Sequence, residues 1–393
     1  MNDTHRNRVR LLSAVTVLLA VTSLLGGLVG CDEAALEPTA TPTRTPRPDP
    51  TTPPPPTATP EPTATPMPTP TPAVALNVNP LTGELVDDVS RLERVPVAIK
   101  ISNWPPRYVR PQAGINAADL IYEHYNEGWN ATRWTAIYLA NDPERVGPVR
   151  SGRLIDLELP AIYDAVLACW GFSNGVLAIF LDSDLYPDQV VSNSIGGTLA
   201  PSPFYRDYSR DVPLEHTGYT DPELVRTWAE ERGFTGRQDL DGMTFSQEPK
   251  EEGEPATLIQ IPWRGLDAEW RYDEESERYL RWSDGTPHVD ALTGEQLSAA
   301  NVVVLYVPQW NTDIVEDPHG GALSIQFALW NSNRAIIFRD GVQIEAFWQR
   351  WERDDMLTLT DAEGNDVPLK VGNTFFEVLP APGDDHYFDI TVE

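Results

Sequence analysis

The hydrophobic pattern divides this chain into three regimes. From Leu11 to Val29 every position is apolar or small and none is charged, behind a start that carries Arg6, Arg8 and Arg10. A positive start, an apolar stretch and small residues at its end form the pattern of an export signal. The stretch closes in Leu28-Val29-Gly30-Cys31, which reads as a lipobox with Cys31 as the acylated residue. Two acyl chains on one cysteine are what stable anchoring needs. An uncleaved membrane helix is the alternative, because the stretch is long enough to span. From Glu37 to Pro72 threonine and proline alternate, as in Thr69-Pro-Thr-Pro72. Proline fixes φ and removes donors, so this tract is predicted to be a disordered, polyproline-like linker with no core of its own. At roughly 3.1 Å per residue, about 40 such residues reach on the order of 120 Å.

After the linker the pattern becomes that of a folded body. Val95-Pro-Val-Ala-Ile-Lys-Ile101, Ala118-Asp-Leu-Ile-Tyr-Glu123 and Trp134-Thr-Ala-Ile-Tyr-Leu139 have the length and apolar content of strands. Leu154 to Leu167 reads as a helix interrupted at Pro160. Thr220-Asp-Pro-Glu opens a helix over Leu224 to Arg232, with a cap residue, a proline and an acid in the first turn and Gly233 as its stop. Ser246 to Pro255 is a charged break marked by Pro and Gly. Beyond it, short β-prone runs at 258–261, 268–272, 279–282, 302–307, 323–329, 335–338 and 375–379 alternate with turns such as Asp284-Gly285 and Asp340-Gly341. Regular short strands with turn signals between them indicate a sandwich or barrel.

The remaining length is too great for one ordinary core. The expected architecture is therefore a signal peptide over residues 1–30 and a Cys-anchored Pro/Thr-rich linker over 31–76. An α/β (α+β) N-terminal domain follows over 77–245. A second linker at 246–256 leads to a mostly-β, sandwich or barrel-like C-terminal domain over 257–393.

Charge narrows the partners. The 393 residues carry 59 acids against 29 lysines and arginines, a formal net charge of −30. Such a surface repels nucleic acid, which is not expected as a partner. Of the two cysteines one is the lipid site, so Cys169, in apolar surroundings, reads as a buried inert thiol. No metal-ligand, P-loop or nucleophile-elbow motif occurs, and neither cofactor nor metal is expected.

Against this background, Arg91 to Arg153 holds nine cations and six acids, a local positive island. Its most unusual segment is Gly147-Pro-Val-Arg-Ser-Gly-Arg153. Guanidinium forks suit carboxylates and phosphates, and small residues let backbone amides approach a ligand. Arg110, Arg133, Arg150, Ser151 and Arg153 are thus the candidate anion-binding residues. The competing reading pairs these arginines with the chain's own Asp119, Glu123 and Glu127. His216, beside Glu215 or Glu123, is the candidate acid or base. Trp330, Trp348 and Trp351 form either a sugar-stacking face or ordinary core.

Asn79-Pro-Leu-Thr-Gly83, Arg110-Pro-Gln112, Ala118-Asp119, Tyr122-Glu123, Glu127-Gly128, Thr132-Arg133, Gly147 to Arg153 and Phe338-Arg-Asp-Gly341 resemble the YerB-like family of bacterial lipoproteins. The resemblance covers an N-terminal and a C-terminal family domain. It implies a two-domain exported lipoprotein and brings no catalytic residues. The combined expectation is an extracytoplasmic protein held to the cell membrane by lipid on Cys31. Its role would be that of a binding or assembly factor recognising a cell-wall or other anionic envelope ligand. The alternative is an envelope enzyme acting on a phosphorylated or glycan substrate, with Glu123 and His216 in an Arg/Glu/His pocket. A Cys31→Ser chain is expected to leave the membrane fraction of its host; retention there points to an uncleaved helix instead.

Overall fold

A computed structural model describes residues 77–195, 202–249, 253–317 and 319–393. The expected signal peptide, the expected lipid site Cys31 and the expected Pro/Thr-rich linker lie outside the described residues. In the first half the strands are β1 (Val97–Ser102), β2 (Leu120–Tyr125), β3 (Thr132–Tyr138), β4 (Val166–Cys169) and β5 (Val190–Ser192). In the second half β6 (Leu258–Trp263), β7 (Leu266–Asp273) and β8 (Arg278–Ser283) form an antiparallel meander. They are followed by β9 (Asn301–Val307), β10 (Gln309–Val315), β11 (Leu323–Phe327), β12 (Asn331–Arg339), β13 (Val342–Arg350), β14 (Thr358–Thr360) and β15 (Thr374–Pro380).

The larger sheet runs β14-β13-β12-β9-β15-β2-β3-β1-β4-β5, so both halves of the chain build it. Strand β15 is inserted between β9 and β2 and is parallel to both. Every residue of β1, β2, β3, β9 and β15 is buried. Burial on both faces explains why these strands read as near-continuous apolar runs rather than as alternation. Helix α1 (Pro222–Glu230) buries Val225, Trp228 and Ala229, and its first turn is capped by Asp221, which accepts from the Leu224 N–H at 2.8 Å. Gly233, at φ +80°, ends it as its sequence indicates.

The second half is mostly β, and its strands are divided between this sheet and the β6–β8 meander. Two local expectations change. Leu154 to Leu167 is not one helix: a 3-10 turn at Leu154–Leu157 and a helical turn at Leu159–Ile162 lead into strand β4. Asp164 takes a left-handed φ of +43°, which breaks the helix, and the apolar Val166–Ala168 run pairs with β1. Strands β10 and β13 are additions; β10 alternates toward solvent and carries too many polar residues to be read as a strand. Trp348 is buried, with its indole donating to the Tyr306 carbonyl at 2.9 Å, while Trp330 and Trp351 are exposed. The three tryptophans therefore do not share a face.

The meander alternates strictly. Ile259, Ile261, Trp263, Ala268, Trp270 and Tyr279 point inward, toward the central sheet. Arg281 occupies an inward position in the same phase and is fully buried. Its two terminal nitrogens reach Glu123 Oε2 at 2.5 Å and Glu377 Oε1 at 2.9 Å. These two glutamates are direct neighbours across the β2–β15 pair. Trp270 and Trp263 also donate to Glu377, at 2.8 and 3.3 Å, and Asn103 and Thr132 donate to Glu123 at 3.0 and 2.5 Å. Trp134, Trp270 and Phe375 surround the guanidinium.

One cation between two adjacent buried carboxylates leaves one negative charge uncompensated. Burial first, and the Glu123 carboxylate second, push the Glu377 carboxyl up to about 7 against the pull of Arg281. Arg281→Met removes the cation from both acids and is expected to cost about 3–5 kcal/mol in denaturant unfolding. A loss under about 1 kcal/mol would contradict the account. Because the folded chain holds a proton on Glu377 that the unfolded chain releases near 4.5, this group's contribution to stability falls as pH rises through 4.5 to 7. The stability of the wild type relative to Glu377→Gln is therefore expected to fall between pH 5 and pH 8. A gap that is constant or widens with pH would be the contrary result.

Candidate functional site

The period-two alternation of β1, β2 and β3 places Lys100, Ser102, His124, Arg133 and Thr135 on the face of the central sheet opposite Glu123. Lys100 is wholly buried there. Its Nζ contacts Asp156 Oδ2 at 2.8 Å, Thr135 Oγ1 at 2.9 Å and His124 Nε2 at 2.6 Å. His124 Nδ1 lies 2.7 Å from the Tyr125 carbonyl, so that nitrogen donates and Nε2 accepts from the ammonium. Burial first, then Lys100, hold His124 well below its usual range and keep it neutral. Burial also lowers Lys100 to about 8, although Asp156 opposes the shift.

This core fixes the arginine loop. The same Asp156 Oδ2 accepts the Arg153 N–H at 2.7 Å. The Arg150 N–H reaches the Lys100 carbonyl at 2.9 Å, and the Trp170 N–H reaches the Arg150 carbonyl at 2.8 Å. Gly152 is required because a Cβ there would lie 2.3 Å from the Phe172 ring. Ser151 turns its carbonyl to Arg133 Nη1 at 2.7 Å and its hydroxyl, at 3.4 Å, to the Trp170 carbonyl.

The loop forms one wall of an open cleft of about 340 Å³. Arg133, Arg150 and His216 all line it, as do Glu127, Glu215 and Asp317. Arg153 lies behind the wall, its fork closed on Glu127 with both contacts at 2.6 Å. Burial disfavours the Glu127 anion, but Arg133 and Arg153 outweigh it and hold the carboxyl at about 2. Arg133 is nearly buried, and burial followed by repulsion from Arg153 lowers it to about 9. Arg150 differs from both. Its side chain makes one long bond, 3.3 Å, to the Glu215 carbonyl, and among the described residues no carboxylate lies within 4.0 Å of it.

His216 stacks on Tyr108 with ring centroids 5.5 Å apart, and its buried Nδ1 has no hydrogen-bond partner. Burial and then Arg150 push it down to about 4, so it is neutral near pH 7. Its Nε2 lies 4.0 Å from the Glu215 carboxylate.

The structure thus brings Arg133, Arg150, Ser151 and Arg153 together with His216 and separates two residues from them. Arg110 pairs with Asp284 at 2.7 Å, in the turn after β8. Glu123 faces the meander and belongs to the Arg281 trio; Thr132, which lines the cleft and donates to Glu123, connects the two places. Lys100, Asp156, Arg281 and Glu377 were not legible as site residues, although a charged residue inside an apolar strand is the signal that marks three of them. Cys169 is buried, and burial pushes its thiol far up, which makes it unreactive.

Residues 81–235 match a family described as "Protein of unknown function (DUF3048) N-terminal domain", and residues 259–376 match its C-terminal domain. The chain belongs to this two-domain, YerB-like family. It is 26% identical over 306 residues to "Putative lipoprotein YerB" of Bacillus subtilis (strain 168), covering 77% of this chain and 86% of that protein. The crystal structure of the Bacillus subtilis YerB protein superposes with a TM-score of 0.64 at 25% identity, over 77% of this chain and 96% of that one. The arginine cleft is lined almost entirely by the N-terminal DUF3048 domain, with Asp317 and Ala322 from the C-terminal one. The Arg281 trio joins the two family domains, since Glu123 comes from the first and Arg281 from the second.

The arrangement separates structural cations from an available one. Arg153→Ala opens the fork on Glu127 and is expected to cost about 2 kcal/mol or more. Arg150→Ala, which breaks no ion pair, is expected to cost no more than about 1 kcal/mol. Parallel denaturant titrations decide it; equal losses would contradict the distinction.

Proposed function

We propose that the protein is a lipid-anchored extracytoplasmic binding factor that takes an acidic group of a cell-envelope molecule on Arg150. The observation that carries this reading is a guanidinium lining an open cleft, without a carboxylate partner among the described residues, beside the buried Arg133. An arginine in that state offers its full fork to a planar anion. The lipobox ending in Cys31 and the lipoprotein name of the Bacillus subtilis relative support the anchor and the extracytoplasmic address.

Binding is favoured over catalysis by the acid/base candidates. Glu123 is shut away on the other face of the sheet, and His216, neutral and 4.0 Å from Glu215, lacks an orienting hydrogen bond. A thermal-shift panel of soluble envelope fragments bearing carboxylates or phosphates tests the reading at low salt. At least one class is expected to raise the melting temperature of the wild type, with the rise lost in Arg150→Ala. No rise, or a rise that Arg150→Ala retains, would overturn it.

A further inference from the structure

The cleft has a second feature that a bare anion site does not need. Three acids, Glu127, Glu215 and Asp317, line it against the two arginines Arg133 and Arg150. A phosphate monoester brings about −1.5 to −2 charges near neutral pH. Placed on Arg150 it would face the Glu215 and Asp317 carboxylates, while Glu127 is held by Arg153, and Arg133 is already bonded to the Ser151 carbonyl. A carboxylate brings one charge and matches the single fork that is open. Carboxylate side chains accept hydrogen bonds and donate none when ionised, so the ligand that suits them carries hydroxyl donors. The wall beside them is aromatic: Trp104 is 40% exposed at the cleft, and Tyr108 stands against His216. An aromatic face next to hydroxyl acceptors fits the apolar face and the equatorial hydroxyls of a sugar ring. The volume of about 340 Å³ is at the small end of ligand cavities, which run to about 300–1,000 Å³. It suits one or two rings rather than a long polymer.

We propose that the cleft holds a pyranose bearing one carboxylate, with the acid on Arg150, the ring face on Trp104 and hydroxyls on the lining acids. This inference rests on the anion-binding reading above and narrows it to a substrate class. It also gives the acids of the cleft a use, since for a pure anion site they are only a penalty.

The test is titration calorimetry on the full-length protein in detergent, with sodium glucuronate, N-acetylmuramic acid, glucose and glucose 1-phosphate as probes. At least one of the two acidic sugars is expected to bind ten times or more tighter than both glucose and glucose 1-phosphate. Arg150→Ala is expected to abolish that preference over glucose, and Trp104→Ala to weaken the acidic sugar about tenfold, with both variants keeping the wild-type near-ultraviolet circular dichroism. If glucose 1-phosphate binds as tightly as the acidic sugars and Arg150→Ala removes it, this inference falls while the anion-binding reading stands. Binding of the acidic sugar that Trp104→Ala leaves unchanged also overturns the inference. If no probe binds, or if Arg150→Ala changes nothing, both fall.

Discussion

A single guanidinium joins the two largest sheets among the described residues. Arg281 enters from the meander between Glu123 and Glu377, and no water-exposed surface is left on any of the three side chains. Burying a guanidinium between two carboxyl groups is expensive, and a well-packed apolar trio of similar volume would hold two sheets together at least as well. The ionic trio penalises alternatives. A one-residue slip of β8 would turn Arg281 to the outer face and leave two carboxylates facing each other in the core. The trio also ties the halves of the chain, because β15 must have paired with β2 before Glu377 stands beside Glu123.

On the opposite face of the same strands a second polar core does related work. Lys100 binds Asp156, and Asp156 binds the backbone of Arg153, so the arginine loop is anchored to the middle of the sheet. Arg153 and Glu127 then satisfy each other, and Arg133 is spent on Ser151. What the network leaves open is Arg150. The cleft is therefore a rigid wall with one uncommitted cation, and rigidity is what a weak polar site needs, since little ordering is required when a ligand arrives.

Much of the fold was legible in the chain. The β-prone runs at 258–261, 268–272 and 279–282 fall on the meander strands, and the capped helix at Pro222–Glu230 and the turns at Asp284-Gly285 and Asp340-Gly341 follow from local chemistry. Pairings distant in sequence were not legible, because periodicity gives a strand its faces but not its neighbours. That is why the sharing of one sheet between the halves appears only in the structure. The candidate site shows the same boundary. Arg133, Arg150, Ser151 and Arg153 were found from composition and do gather. Arg110 was grouped with them by nearness along the chain, yet Asp284, far away in sequence, holds it. Glu123 failed for a simpler reason: β2 alternates, so a residue next to His124 must point away from the face that His124 and Arg133 share.

Arg150 is available while Arg153 and Arg281 are committed. Arginine side-chain hydrogen exchange by nitrogen-15 NMR measures this directly. The account predicts strong protection of the Arg153 and Arg281 guanidinium protons and exchange at Arg150 close to that of an exposed arginine. Protection at Arg150 equal to that at Arg153 would contradict it.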